Sequence, residues 1–117
     1  MNTEEIRDYC LAKKGVAEGF PFDEVTLVFK VMNKMFAIVS LDGELRISLK
    51  CEPERAIELR EKYPAIIPGY HLNKRLWNTI QVDGSISDEL LEELINHSYD
   101  LIVSSLPKKV KEELVNL

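Results

Sequence analysis

The chain has 117 residues, 45% of them apolar and 30% charged, which is one ordinary globular domain's worth of sequence and excludes collagen-like, low-complexity and disordered chains. No apolar run approaches the roughly 18 residues that a membrane span needs. Fifteen Lys and Arg against 20 Asp and Glu give a net charge of −5, the wrong sign for a protein that coats nucleic acid indiscriminately.

Asn2 is placed to cap a first helix, with Glu5 three residues on completing a capping box and Ile6, Tyr9 and Cys10 at helical spacing; Gly15 stops it. From Thr26 the period changes to two: Leu27, Phe29 and Val31 alternate with Thr26, Val28 and Lys30. Asn33-Lys34 marks a turn, and Met35 to Ser40 forms a second strand. Asp42-Gly43 is the strongest hairpin signal, followed by Leu45, Ile47 and Leu49 alternating with Glu44, Arg46, Ser48 and Lys50. Pro53 suits the first turn of a helix whose stripe is Ala56, Leu59 and Tyr63. Residues 64–75 lack a clean period and contain Pro68-Gly69, so a loop is expected there. Alternation returns over Leu76 to Val82, with Leu76, Asn78, Ile80 and Val82 against Trp77, Thr79 and Gln81. Ser87 caps a long helix with Leu90, Leu91, Leu94, Ile95, Ser98, Leu101 and Ile102 in phase; Pro107 ends it, and Lys108 to Leu117 forms a short closing helix.

The order α-β-β-β-α-loop-β-α-α, with strands joined by hairpins, predicts a single α+β domain over residues 1–117: an antiparallel sheet covered on one face by helices. The uncovered face is expected to carry Lys30, Arg46, Ser48 and Lys50, with Trp77, Thr79 and Gln81. The acidic opening, Met-Asn-Thr-Glu-Glu-Ile-Arg, lacks the pattern of a signal peptide, so a cytoplasmic protein is expected. Cys10 and Cys51, 41 residues apart with no CxxC pair, read as small buried apolar residues.

The chain contains no GxGxxG, Walker-type GxxxxGK, HExxH or GxSxG motif, so no enzyme is expected and no cofactor is implied. His97 sits on the apolar stripe of the last long helix and reads as a core-edge residue; a Cys51–His71 nucleophile pair lacks any group to orient the imidazole. Two features carry information. The charge runs −3, +3, −5 over residues 1–24, 25–82 and 83–117, an acidic frame around a mildly basic middle. The stretch Pro68 to Thr79 gathers Tyr70, His71, Asn73, Lys74, Arg75, Trp77 and Asn78 within twelve residues. Cations neutralise phosphate, amides and hydroxyls exchange hydrogen bonds, and aromatic rings offer stacking planes. The structural alternative is that Trp77 caps the core while Asn73 and Asn78 tie down loop backbone.

The stretch Pro-Gly-Tyr-His-Leu-Asn-Lys-Arg-Leu-Trp-Asn-Thr at 68–79 resembles the signature of the MmcQ/YjbR-like family. The resemblance extends to Cys10-Leu11, Phe20-Pro21-Phe22-Asp23, Val28-Phe29-Lys30-Val31, Lys50-Cys51-Glu52-Pro53 and His97-Ser98-Tyr99, spanning nearly the whole chain. It departs at Leu76, where the family often has a second polar residue before the Trp, which counts against a metal or acid-base centre in that loop. What the resemblance implies is a CyaY-like fold, similar to frataxin-type proteins, and a small bacterial DNA-binding protein that works through a double wing of hairpins. It supplies no catalytic residues.

The leading expectation is therefore weak, salt-sensitive DNA binding, with hairpin turns near Asn33-Lys34 and Asp42-Gly43 as wings and Arg46, Lys50, Lys74 and Arg75 meeting phosphates, beside Lys30, Tyr70, His71, Asn73, Trp77 and Asn78 as further binding residues. The alternative is a protein-interaction, self-association or small-ligand module built on the open sheet face and the Trp77 loop. A third reading makes Glu4, Glu5, Asp8, Glu18, Asp23 and Glu24 an acidic ridge for iron.

Overall fold

Residues 1–117 are all described by a computed structural model, in which ten elements follow one another: α1 (Thr3–Leu11), β1 (Val16–Gly19), β2 (Thr26–Val31), β3 (Lys34–Ser40), β4 (Arg46–Lys50), α2 (Pro53–Lys62), β5 (Ile66–Pro68), β6 (Trp77–Gln81), α3 (Asp88–Ser105) and α4 (Lys108–Val115). The helix starts follow from the caps. Asn2 Oδ1 accepts from the Glu5 N–H at 2.8 Å while the Glu5 carboxylate accepts from the Asn2 N–H at 3.0 Å, a reciprocal capping box. Ser87 Oγ accepts from the Leu90 N–H at 3.1 Å at the start of α3.

All six strands form one antiparallel sheet in the order β1-β2-β3-β4-β6-β5. The α+β class and the helices on one face stand as expected, but two strands escaped the periodicity. β1 is four residues long with none of them buried, and β5 is three residues long and ends in Pro68. Both are edge strands, where proline and short length are tolerated because one side of the strand needs no ladder. The first hairpin also closes one residue earlier than expected: Val31 pairs with Lys34, and Met32 and Asn33 both have positive φ (48° and 70°), the conformation of a type I′ turn. Ser40 pairs with Arg46, so Asp42-Gly43 lies inside a five-residue loop, 41–45, rather than forming a two-residue turn.

Side chains facing each other across an antiparallel ladder share a face of the sheet. One set of rows, Leu27–Val39–Ile47–Ile80–Ile66 and Phe29–Ala37–Leu49–Asn78, looks toward the helices and supplies much of the core. The other, Thr26–Ser40–Arg46–Gln81, Val28–Ile38–Ser48–Thr79–Ile67, Lys30–Met35 and Lys50–Trp77, looks away from them. The alternation read from the sequence thus puts Lys30, Arg46, Ser48, Lys50, Trp77, Thr79 and Gln81 on the face that no helix covers.

Helix α3 is joined to the sheet by one hydroxyl as well as by apolar packing. Ser98 Oγ, fully buried, donates to the Phe36 carbonyl at 2.6 Å and accepts from the Lys50 N–H at 2.9 Å. The Phe36 ring meets Tyr99 edge-on, centroids 5.4 Å apart. His97 Nε2 accepts from the Glu52 N–H at 3.2 Å, next to the start of α2.

Both cysteines lie in the core. Burial pushes the Cys10 thiol from its ordinary value of 9.0 up to about 12, and shifts Cys51 in the same direction. A raised thiol pKa means that the unfolded chain gives up its proton first. The stability contributed by keeping Cys10 neutral is therefore complete below pH 9.0 and is lost as pH climbs toward about 12. Urea midpoints measured across that range should fall more steeply in the parent than in Cys10→Ala, and equal slopes would refute the assignment. At neutral pH neither thiol should react with a thiol reagent until urea unfolds the chain.

Candidate functional site

The segment 69–76 begins at the end of β5 and must return to Trp77, the first residue of β6, which pairs with Lys50 at the last residue of β4. Gly69 sets its course. The Gly69 N–H donates to the Trp77 carbonyl at 2.8 Å, and a Cβ on residue 69 would stand 2.8 Å from the Trp77 Cβ and 2.9 Å from its carbonyl oxygen. Only glycine lets the two backbones approach so closely. From there the chain folds back over the open face, where the Tyr70 N–H donates to Thr79 Oγ1 at 3.0 Å and Thr79 Oγ1 is 2.8 Å from Ser48 Oγ.

This places the Tyr70 ring over β4, with the Arg46 guanidinium 5.6 Å from its centroid, and the His71 ring 4.0 Å away at a tilt of 53°. His71 has φ 59°, a left-handed conformation uncommon for a residue with a Cβ. Residues 70–72 form one wall of a groove of about 560 Å³, whose floor includes Ile38, Ser40, Arg46, Ser48 and Thr79. The other wall is the segment leading into β2, with Phe22 and Val25. That segment is tied by Asp23, whose carboxylate accepts from the Val25 N–H at 2.9 Å and from Thr26 Oγ1 at 3.1 Å. These bonds, the backbone one foremost, hold its carboxyl below the usual range. Two aromatic rings thus stand exposed on the groove, Phe22 at 65% and Tyr70 at 58%.

The residues singled out in the sequence separate into three groups. Arg46, Tyr70 and His71 meet at the groove. Lys30 and Lys50 share the open face, Lys50 opposite Trp77, and neither enters any of the chain's three ion pairs, Met1–Asp88, Arg7–Glu18 and Arg55–Glu93. Arg46, Lys74 and Arg75 are likewise outside those pairs. The third group is occupied with the loop itself. Asn73 Oδ1 accepts from the Arg75 N–H at 3.0 Å, and Lys74 Nζ donates to the Gly69 carbonyl at 3.2 Å. Asn78 must be corrected from a binding to a structural residue. It is 2% exposed on the helix-facing side, its Oδ1 accepts from Arg60 at 3.2 Å, and its amide donates to the Ala56 carbonyl at 3.3 Å. The same Arg60 donates to the Lys74 carbonyl at 2.7 Å, so α2 anchors the loop from below.

Two other arrangements weighed in the sequence do not assemble. Cys51 is in the core while His71 is exposed over the opposite face of the sheet, so they form no nucleophile pair. Among the six ridge carboxylates, Glu5 accepts from the Asn2 N–H at the start of α1, Glu18 is held by Arg7 and Asp23 ties its own loop. No group of three or more His, Cys, Asp or Glu side chains is gathered closely enough to hold a metal ion. The residues that sequence reasoning missed are those of the far wall and floor, Phe22, Val25, Ile38 and Ser40. The one available signal was Phe20-Pro21-Phe22, two aromatics in a segment with no strand or helix period to bury them.

A family model described as YjbR matches residues 11–101, which contain both walls of the groove. The chain belongs to the YjbR family. It is 35% identical to the uncharacterised Escherichia coli K12 protein YjbR over the full length of both chains. It is 40% identical to E. coli O157:H7 YbdF over 91 residues, 77% of this chain and 75% of that one. Among solved structures, a Deinococcus radiodurans protein with a DUF419 domain is 42% identical and superposes with a TM-score of 0.92, covering 97% of this chain and 87% of that one. A Pseudomonas syringae protein at 28% identity gives 0.76 over 86% of this chain and 98% of its own. The YjbR fold in this chain therefore combines a helix-covered core face with a bare one, and the segment 69–76 converts part of the bare face into a groove. No helix is long and apolar enough to cross a membrane.

Proposed function

We infer that this protein is a non-catalytic nucleic-acid-binding module and that the uncovered face of its sheet is the binding surface. The observation that carries the reading is the placement of Lys30, Arg46 and Lys50 on that one face, outside every ion pair of the chain, beside an exposed tyrosine. Unpaired cations on an open surface gain most from a polyanion that brings its own charges, because binding releases condensed counterions. The net charge of −5 is concentrated elsewhere, since residues 83–117 alone carry 8 Asp and Glu against 3 Lys and Arg. This makes the affinity modest and restricts it to one face.

The hairpin turns take a lesser part than a double-wing arrangement assigns them. Met32-Asn33 precedes β3 and loop 41–45 follows it, so the two lie at opposite ends of that seven-residue strand. Phosphate contacts are assigned instead to strand cations, with Lys74 and Arg75 at the loop as outlying contributors.

Labelled DNA titrated at about 20 mM and about 150 mM salt should show saturable anisotropy that weakens with salt, the slope of log K against log salt being about −0.9 per phosphate neutralised on duplex. Lys30→Ala/Lys50→Ala should weaken binding and flatten that slope by about two contacts' worth. Absence of binding at low salt, for single-stranded and duplex DNA alike, would overturn the reading. The groove then favours the second one, a small-ligand module, because its volume of about 560 Å³ lies in the ordinary range for ligand sites.

A further inference from the structure

The groove adds something that phosphate contacts do not require. A surface that only neutralises a backbone needs exposed cations, whereas this one places Phe22, Tyr70 and His71 around a floor that sets Ile38 beside Ser40 and Arg46. Exposing two aromatic rings to water is unfavourable unless something covers them, and flat apolar rings are what an unstacked base seeks. The polar groups are also of mixed character. Arg46 donates only, Asp42 at the groove accepts only, and the Ser40 hydroxyl does both. A simple anion would be repelled by Asp42 and by Asp23, although the latter is already satisfied by Val25 and Thr26. The edge of a nucleobase, with donors and acceptors side by side, matches such a floor.

We propose that the groove is a subsite for one unpaired base of a single-stranded nucleic acid, stacked against Tyr70, while Arg46 and the strand lysines hold the adjoining phosphates. The proposal rests on the nucleic-acid reading above and adds a preference that the reading does not contain. Bases of an intact duplex are stacked on one another and cannot enter the groove without being extruded, so single strands bind more tightly than the same sequence in duplex form. The closed duplex uses only the cations.

The test compares a labelled oligonucleotide of mixed sequence, single-stranded and annealed, at about 20 mM salt, for the parent, Tyr70→Ala and Lys30→Ala/Lys50→Ala, each verified as folded by its thermal melt. Tyr70→Ala touches an exposed ring and leaves the core intact. The expected result is tighter single-strand binding by the parent, a loss of about tenfold in Tyr70→Ala for the single strand with little change for duplex, and a loss of both in the lysine double variant. Equal affinity of the parent for the two forms, or a Tyr70→Ala variant that keeps the preference, overturns the base subsite and leaves the nucleic-acid reading standing. No binding to either form overturns both. A free mononucleotide that displaces the strand at concentrations near the strand's own Kd also overturns the proposal, because the site would then be a nucleotide pocket with no need of neighbouring phosphates.

Discussion

Replacing Ser98 with alanine is expected to destabilise the fold by about 2 to 4 kcal/mol, far more than loss of one small side chain suggests. Its hydroxyl satisfies two backbone groups at once, the Phe36 carbonyl of β3 and the Lys50 N–H of β4. Each buried group left without a partner costs about 1 to 3 kcal/mol, and Ser98 is fully buried, so water cannot take its place without opening the packing of α3. Urea denaturation followed by far-ultraviolet circular dichroism measures the change. Ser98→Thr restores the hydroxyl but adds a methyl group to a closed site, and should recover only part of the loss. A Ser98→Ala protein with the parental midpoint would show that α3 is held by its apolar stripe alone.

Gly69→Val is expected to abolish the groove while leaving most of the sheet intact. The Cβ alone would stand 2.8 Å from the Trp77 Cβ and 2.9 Å from its carbonyl oxygen. Neither is a flexible side-chain end, so the backbone must move. Overpacking of this kind costs about 1 to 3 kcal/mol, and here the displaced segment carries Tyr70 and His71 away from Arg46. The effect is legible in one tube: Trp77, the chain's single tryptophan, adjoins the substitution and should change its emission. Nucleic-acid binding should fall to the level of Tyr70→Ala or below. Parental Trp77 emission together with parental binding would show that the loop does not depend on the close approach at Gly69.

The uncovered face was legible because a two-residue period needs no knowledge of partners. Once Leu27, Phe29, Ile47, Leu49 and Ile80 are given to the core, Lys30, Arg46, Ser48, Lys50 and Thr79 have only the other side to occupy. The same logic had already grouped Asn78 with Leu76 and Ile80, and its place among the core rows follows from that alternation rather than from its polarity. The groove was not legible, since it depends on where two irregular segments settle. Phe22 and Tyr70 are 48 positions apart with no shared period, and only the sheet between them brings them to one cavity. Strands β1 and β5 escaped for a related reason: at four and three residues they are too short to show alternation, and each is a strand only by virtue of a neighbour that is.

The strand order 1-2-3-4-6-5 bears on how the chain finds its structure. Three of the five pairings join strands consecutive in sequence through short connections, so β1 to β4 can zip as successive hairpins at little loop-closure entropy. A fourth, β5 with β6, is again local. The single distant strand pairing is β4 with β6, 31 residues apart at Ser48 and Thr79, and the docking of α3 spans more, 48 residues from Ser98 to Lys50 and 62 to Phe36. Loop closure therefore places the late steps of folding at the β4–β6 seam and at the docking of α3. That seam is where Ser48 meets Thr79 and where the groove floor is laid, so the candidate site is among the last parts of the molecule to be completed.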